Sequence, residues 1–194
     1  MPQIDVFDLL RSTGALKHGH FVLSSGRHSD AYFEKFDLLR NPVATSEVCG
    51  GFAEHFANDR IDVVVGPTTG GILLAFETAR QMRIAAAYAE RVDSGAGREL
   101  RRGTVLPKGS RVLLIDDILT TGGSVRETLD ALAHHPVEVV GIGVLVDRSA
   151  GGVTFGAIPL HALGSQVVES WLPEECPLCA TGEPLVKPGT TTVG

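Results

Sequence analysis

Four short apolar runs constrain this chain more than any other feature: "IDVVVG" at 61–66, "IAAAYAE" at 84–90, "RVLLID" at 111–116 and "VEVVGIGVLVD" at 137–147. The first is followed by "ILLAFETARQM" and the third by "SVRETLDALAHH", in which apolar residues recur at helical spacing. Strands that lose the polar alternation are buried on both faces, and amphipathic helices are what cover them. The pattern therefore predicts an α/β fold, a parallel sheet flanked by helices. In such sheets ligands gather at the carboxyl ends of the strands, where the βα loops converge. The loops after Gly66, Glu90, Asp116 and Asp147 are thus the candidate site.

The remaining segments read as additions to that core. "IDVFDLLRSTGAL" is an expected amphipathic helix, with Ile4, Val6, Leu9 and Leu10 apolar and Gly14 as its stop. "HFVLSSGRHSDAYFE" holds two extended pieces around a polar turn, a hairpin or small N-terminal hood outside the main sheet. "NPVATSEVCGGFAEHFAND" opens with Asn41 as a cap and Pro42 in the first turn, and Val43, Val48, Phe52 and Phe56 follow at helix-like spacing. The closing "CATGEPLVKPGTTTVG" has no periodicity and reads as a weakly ordered tail. With 194 residues and 43% apolar content, a single domain is expected: helix and hood over 1–40, α/β core over 41–150, extension and tail over 151–194.

Charge and cysteine content narrow the partners. The 17 Lys and Arg against 23 Asp and Glu leave a net charge of −6, which offers no broad attraction to nucleic acid or an anionic membrane. No apolar run has the length of a membrane span, and the opening residues lack a signal-peptide pattern, so the cytoplasm is the expected location. Cys49, Cys176 and Cys179 do not form a disulfide framework. The pair in "CPLC" resembles half of a zinc site, but a closed site needs four ligands and the sequence has no second cysteine pair, so no metal site is expected there.

The chemistry concentrates in "VLLIDDILTTGGSV", residues 112–125. It reads as a buried strand ended by two carboxylates, then a hydroxyl- and glycine-rich turn into a helix. Thr120, Thr121, Gly122, Gly123 and Ser124 would place unpaired N–H groups and a positive helix end around a phosphate. Neither the nucleoside-triphosphate loop ending in Gly-Lys-Ser/Thr nor the dinucleotide GxGxxG fingerprint is present. Asp116 and Asp117 would repel a phosphate beside them but can accept hydrogen bonds from sugar hydroxyls. The combination points to a sugar phosphate.

Hydrophobic strand, Asp-Asp, two intervening residues and Thr-Thr-Gly-Gly-Ser, as in Ile115 to Ser124, resembles the phosphoribosyl diphosphate (PRPP) motif of type I phosphoribosyltransferases. "GHFVLSSGRHSDAYF", "VVVGPTTGGILLA" and "VLVDRS" narrow the resemblance to the orotate phosphoribosyltransferases, from the first helix to Arg148. The resemblance implies transfer of ribose 5-phosphate from PRPP to orotate with release of diphosphate, Mg²⁺ carried mainly by PRPP, and a homodimer. It places the 5′-phosphate on Thr120 to Ser124 and the ribose hydroxyls on Asp116 and Asp117. The diphosphate falls near "GPTTGG", including Thr68, Thr69 and Gly70, and orotate on Tyr32, Phe33, Thr120 and Arg148. Arg148 suits this chemically, because a guanidinium can pair with a carboxylated planar ring through two hydrogen bonds.

The chain also departs from the family pattern. Ser24 stands where many members carry a basic residue, and Gly70 where they carry a lysine. The family's mobile loop commonly contains Lys and His, whereas "ERVDSGAGRELRRG" offers Arg91, Arg98, Arg101 and Arg102. Arginines neutralise diphosphate but do not donate protons near pH 7. These residues are expected to lie on a mobile segment that closes over PRPP. A phosphoribosyltransferase for another base, or a non-catalytic PRPP sensor, would retain 116–124. The hood set argues against the first, and the lack of a basic DNA-binding face against the second.

Overall fold

A computed structural model describes residues 5–23, 25–93 and 95–188. Ile4, Ser24 and the last six residues of the chain lie outside the described residues, so the expectations placed on them are not addressed by it.

Asp5 caps α1 (Val6–Ser12) by accepting hydrogen bonds from the N–H groups of Phe7 and Asp8, and the chain leaves through Gly14 at φ 73°. Strands β1 (Leu16–Val22) and β2 (His28–Phe33) form the antiparallel hood. A short helix α2 (Lys35–Leu39) leads into α3 (Pro42–His55). There Asn41 Oδ1 accepts from Val43 N at 3.1 Å and Ala44 N at 3.2 Å, with Pro42 in the first turn, as its sequence predicts. Val48, Phe52 and Phe56 face the core, whereas Val43 does not and is exposed.

The core continues through β3 (Val63–Pro67), α4 (Gly70–Met82), β4 (Ala85–Arg91), β5 (Arg98–Glu99), β6 (Arg111–Leu119), α5 (Gly123–Leu132) and β7 (Glu138–Asp147). Then come β8 (Leu160–Ser165), α6 (Pro177–Ala180) and β9 (Leu185–Val186). The six-stranded sheet has the order β5-β4-β3-β6-β7-β8, parallel throughout except for β5. Alternation along the buried strands divides the apolar side chains between two layers. Val64, Leu113 and Ile115 pack with Phe52, Phe56 and Leu74 on one face, joined by the hood residues Leu16, Ala31 and Phe33. Val63, Val65, Val112, Leu114, Ile142 and Val144 pack with Val125, Leu132 and Phe155 on the other.

Gly141 and Gly143, two residues apart on β7, explain how α3 approaches so closely. A Cβ on Gly141 would lie 2.7 Å from Phe56 Cε1, and one on Gly143 would lie 2.9 Å from Phe52 Cδ1. The two rings occupy the space that side chains would fill.

Two boundaries differ from the sequence reading. β8 belongs to the main sheet although it lies beyond residue 150. It is an edge strand whose residues are only partly buried, so "LHALGS" lacks the continuous apolar run that marks the central strands. Residues 177–186 are also structured. β9 pairs in parallel with β1, His20 with Leu185 and Phe21 with Val186, making a three-stranded hood. Residues 169–171 run beside the start of β2, where Ser29 Oγ donates to Glu169 O at 2.8 Å and His28 and Trp171 exchange backbone hydrogen bonds.

Candidate active site

The two carboxylates do not end their strand. β6 continues to Leu119, and Asp116, Ile118 and Leu119 remain in register with Val144, Val146 and Asp147 of β7. Adjacent strand residues project to opposite faces, and here that separates the pair chemically. Asp116 accepts a hydrogen bond from Ser124 Oγ on α5. Asp117 forms an ion pair with Lys35 Nζ on α2 at 2.7 Å. Each carboxylate also accepts the N–H of the following residue, Asp117 N at 2.8 Å and Ile118 N at 2.7 Å, which fixes both rotamers. Burial, reinforced by the neighbouring Asp117 charge, raises the pKa of Asp116 from 3.8 to about 6, against the lowering effect of Ser124.

Past Leu119, Thr120 and Thr121 are exposed and lead to Gly122, which precedes α5 with φ 78°. A Cβ at Gly122 would also lie 2.9 Å from Val153 Cγ1 and 3.1 Å from Phe155 Cζ, so both conformation and space demand glycine. No side chain caps α5, which leaves its first N–H groups and positive end available to an anion.

The neighbouring loop follows β3. Thr68 and Thr69 lead into α4, whose start likewise has no side-chain cap. Its glycines serve close packing. A Cβ on Gly66 would collide with the carbonyl of Gly71, and one on Gly70 with the Asp117 carboxylate and, at 3.0 Å, with Leu39 Cδ1. The missing side chain at Gly70 therefore makes room for Asp117, and the ammonium group there comes from Lys35 instead. Lys35 escaped the sequence reading because a lysine opening a short helix has no local signature; only the fold carries it to β6.

Arg98 departs from its expected role as a mobile cation. Its side chain is 2% exposed, and Nη1 donates to Thr68 O at 3.2 Å, Thr68 Oγ1 at 3.0 Å and Ala89 O at 3.2 Å. Its Nε lies 3.2 Å from Glu127 of α5. It ties the Thr68 loop to β4 and α5. The segment folds back because β5 pairs with the end of β4, Arg98 opposite Arg91 and Glu99 opposite Glu90. Arg101 is ion-paired with Asp93 and Glu99, and Arg102 with Glu90 at 3.0 Å; Arg91 is exposed at the end of β4.

Arg148 follows β7, and its N–H donates to Leu119 O at 2.8 Å, which joins it to the Thr120 loop. Its guanidinium carbon sits 5.2 Å from the Phe33 ring centroid. Its Nε is buried without a hydrogen-bond partner, and burial lowers its pKa. An unpartnered buried donor beside an aromatic face suits a planar anionic ligand. Phe33 and Arg148 are thus brought together. Tyr32 projects the other way and packs on Phe21 of β1, with centroids 5.8 Å apart.

This arrangement can hold a phosphate at α5, hydroxyls at Asp116 and Asp117, a second anion at Thr68–Thr69 and a planar acid at Arg148. Residues 37–154 match the model of the phosphoribosyl transferase domain. An orotate phosphoribosyltransferase from Chlorobium phaeobacteroides is 44% identical over 190 residues, covering 98% of this chain and 97% of that one. One from Caldicellulosiruptor bescii is 43% identical over 182 residues, 94% of each chain. The chain belongs to the orotate phosphoribosyltransferase family. The crystal structure of the family member from Aeropyrum pernix superposes with a TM-score of 0.71 at 29% identity, covering 81% of this chain and 92% of that one. Adenine phosphoribosyltransferase from Thermoanaerobacter pseudethanolicus, 16% identical with a TM-score of 0.61 over 70% of this chain and 88% of that one, shares the fold alone.

Proposed function

We propose that this protein transfers ribose 5-phosphate from PRPP to a ring nitrogen of orotate, giving orotidine 5′-monophosphate and diphosphate in pyrimidine biosynthesis. The observation that carries this reading is the convergence, at the carboxyl ends of adjacent strands β3, β6 and β7, of two anion-ready loops, the Asp116–Asp117 pair and Arg148 over Phe33. Displacement of diphosphate builds positive charge on the ribose and negative charge on the leaving group, so the protein's work is positioning and charge stabilisation. Thr120 to Ser124 and the start of α5 take the 5′-phosphate. Asp116 and Asp117 accept the ribose hydroxyls, for which Asp116 must be ionised. Thr68, Thr69 and Gly70 line the diphosphate position. Phe33 and Arg148 receive orotate, with Thr120 at its edge and Tyr32 supporting the hood from the opposite face.

The leaving-group cations are Arg91, Arg101 and Arg102. The last two are held by Asp93, Glu99 and Glu90 in partly or largely exposed pairs, which cost little to exchange for diphosphate. Arg98 positions the Thr68 loop. Mg²⁺ would neutralise charge on the diphosphate. Asp116 and Asp117 are already engaged by Ser124, Lys35 and backbone N–H groups, which fits an ion brought in on PRPP oxygens better than an all-protein cage.

Cys49, Cys176 and Cys179 form no disulfide, which suits the reducing cytoplasm, and no helix among the described residues is long and apolar enough to cross a membrane. We further propose a homodimer: Leu73 and Phe76, one turn apart on α4, and Val43 on α3 are exposed, Phe76 by 65%, and a second copy would cover them. Phe76→Glu should then yield monomers by light scattering, and a wild-type monomer would refute the pairing. The activity is tested by following orotate absorbance with PRPP and Mg²⁺, with adenine in a parallel reaction. Consumption of orotate but not adenine is expected. Transfer to adenine alone, or PRPP binding without transfer, would overturn the reading.

A further inference from the structure

The "CPLC" cysteines do not stand alone. His20 of β1 and His28 of β2 complete a group with Cys176 and Cys179 whose ligand atoms all lie within 4.8 Å of one another. Both histidines and Cys176 are buried, and Cys179 is at the surface. The sequence shows no second cysteine pair, and the histidines that stand in its place lie 156 and 151 residues from their thiol neighbours, too far for a local motif to link them.

We propose that this cluster is a structural zinc site of Cys₂His₂ type that fastens the C-terminal extension to the hood. His20 Nδ1 lies 2.8 Å from the carbonyl oxygen of Glu183. A carbonyl can only accept, so Nδ1 carries the proton and Nε2 presents its single lone pair to the cluster. Three groups converge on that lone pair: His28 Nδ1 at 3.0 Å, Cys176 Sγ at 3.4 Å and Cys179 Sγ at 3.7 Å. One lone pair cannot accept hydrogen bonds from all three, whereas a cation among them satisfies each. Cys179 Sγ also lies 3.3 Å from His28 Nδ1. A tetrahedral zinc ion, with Zn–N near 2.1 Å and Zn–S near 2.3 Å, separates its ligand atoms by about 3.3–3.8 Å, so the four groups are close to their coordinating positions.

Two imidazole nitrogens and two thiolates are a donor set suited to zinc, and the Glu183 carbonyl orients His20 as an outer partner should. On binding, the two thiols release their protons to solvent as the Zn–S bonds form. The ion would join β1 and β2 to the segment 176–186, which otherwise meets the hood chiefly through the two-residue strand β9.

The untagged full chain, purified under reducing conditions without chelator, should contain about one zinc ion per chain by elemental analysis. Removal of zinc and addition of cobalt(II) alone should produce tetrahedral visible bands with thiolate-to-cobalt charge transfer. Cys179→Ser, at an exposed position, should keep its circular dichroism yet lose the charge-transfer intensity of one thiolate and bind zinc at least about tenfold more weakly. A chain with both thiols reduced, less than about a tenth of an equivalent of zinc and no cobalt–thiolate band overturns the proposal. So does recovery of a metal-free chain with Cys176 and Cys179 joined in a disulfide.

Discussion

Replacing Asp116 by Asn tests the electrostatic cost of the carboxylate proposed to hold the ribose hydroxyls. The raised pKa, from 3.8 to about 6, means that the folded state binds this proton more tightly than the unfolded chain does, while the carboxylate is still mostly ionised at neutral pH. The sign follows from linkage: this group's stabilisation is complete below its unfolded pKa and is lost as pH rises through about 6. At about 1.4 kcal/mol per unit, the loss across the whole range is roughly 3 kcal/mol, and between pH values near 4.5 and 7.5 it is about 2 kcal/mol. Asparagine has no such titration. Its Oδ1 can keep the Asp117 N–H, and its Nδ2 can donate to the Ser124 hydroxyl. Any packing cost of the substitution is independent of pH, so the informative quantity is the difference between the two proteins compared at both pH values. Urea unfolding should show Asp116→Asn gaining about 2 kcal/mol on the wild type between pH 4.5 and 7.5, while transfer activity at neutral pH is lost. An equal difference at both pH values would show that folding does not raise the pKa of Asp116, and near-normal turnover would remove it from ribose binding.

Other substitutions probe separate parts of the structure. Arg148→Ala should raise the orotate KM by about one to two orders of magnitude, since a charge-assisted pair contributes roughly 1.5–3 kcal/mol, and leave PRPP binding little changed; equal weakening of both ligands would assign Arg148 a structural role. Arg98→Ala should lower both thermal stability and turnover because it leaves Thr68 and Glu127 without their buried partner, whereas Arg102→Ala should lower turnover with little change in Tm; the reverse order would mean that Arg98 is the mobile cation. Gly143→Ala should destabilise the fold by about 1–3 kcal/mol in chemical denaturation, because its Cβ would press on the buried Phe52 ring; an unchanged midpoint would refute the close packing of α3 on β7.

What could be read directly from the sequence is what neighbours along the chain decide. Apolar runs without alternation define the doubly covered strands β3, β6 and most of β7, though not β4, whose first two alanines are exposed, its outer neighbour β5 being only two residues long. Asn41 with Pro42 starts a helix because cap and first turn are adjacent. Asp116 to Ser124 are legible as a candidate anion and hydroxyl site because the last part of the strand, the turn and the helix start are contiguous. The family pattern assigned Phe33 and Arg148 to one ligand, and the contact between them is a finding of the fold. Tertiary structure alone decided which like-looking residues do different work. Lys35 and Gly70 are paired through Asp117 because α2 packs on α4 and α4 packs on β6. Arg98 is buried and Arg102 exposed, though both belong to one arginine-rich loop, because only Arg98 faces Thr68 and Glu127 across the fold. His20, His28, Cys176 and Cys179 meet because the chain's last described strand returns to its first. Such contacts bring together groups far apart in sequence, and their formation depends on the whole core that pays the entropy of closing the intervening chain, so no local pattern announces them.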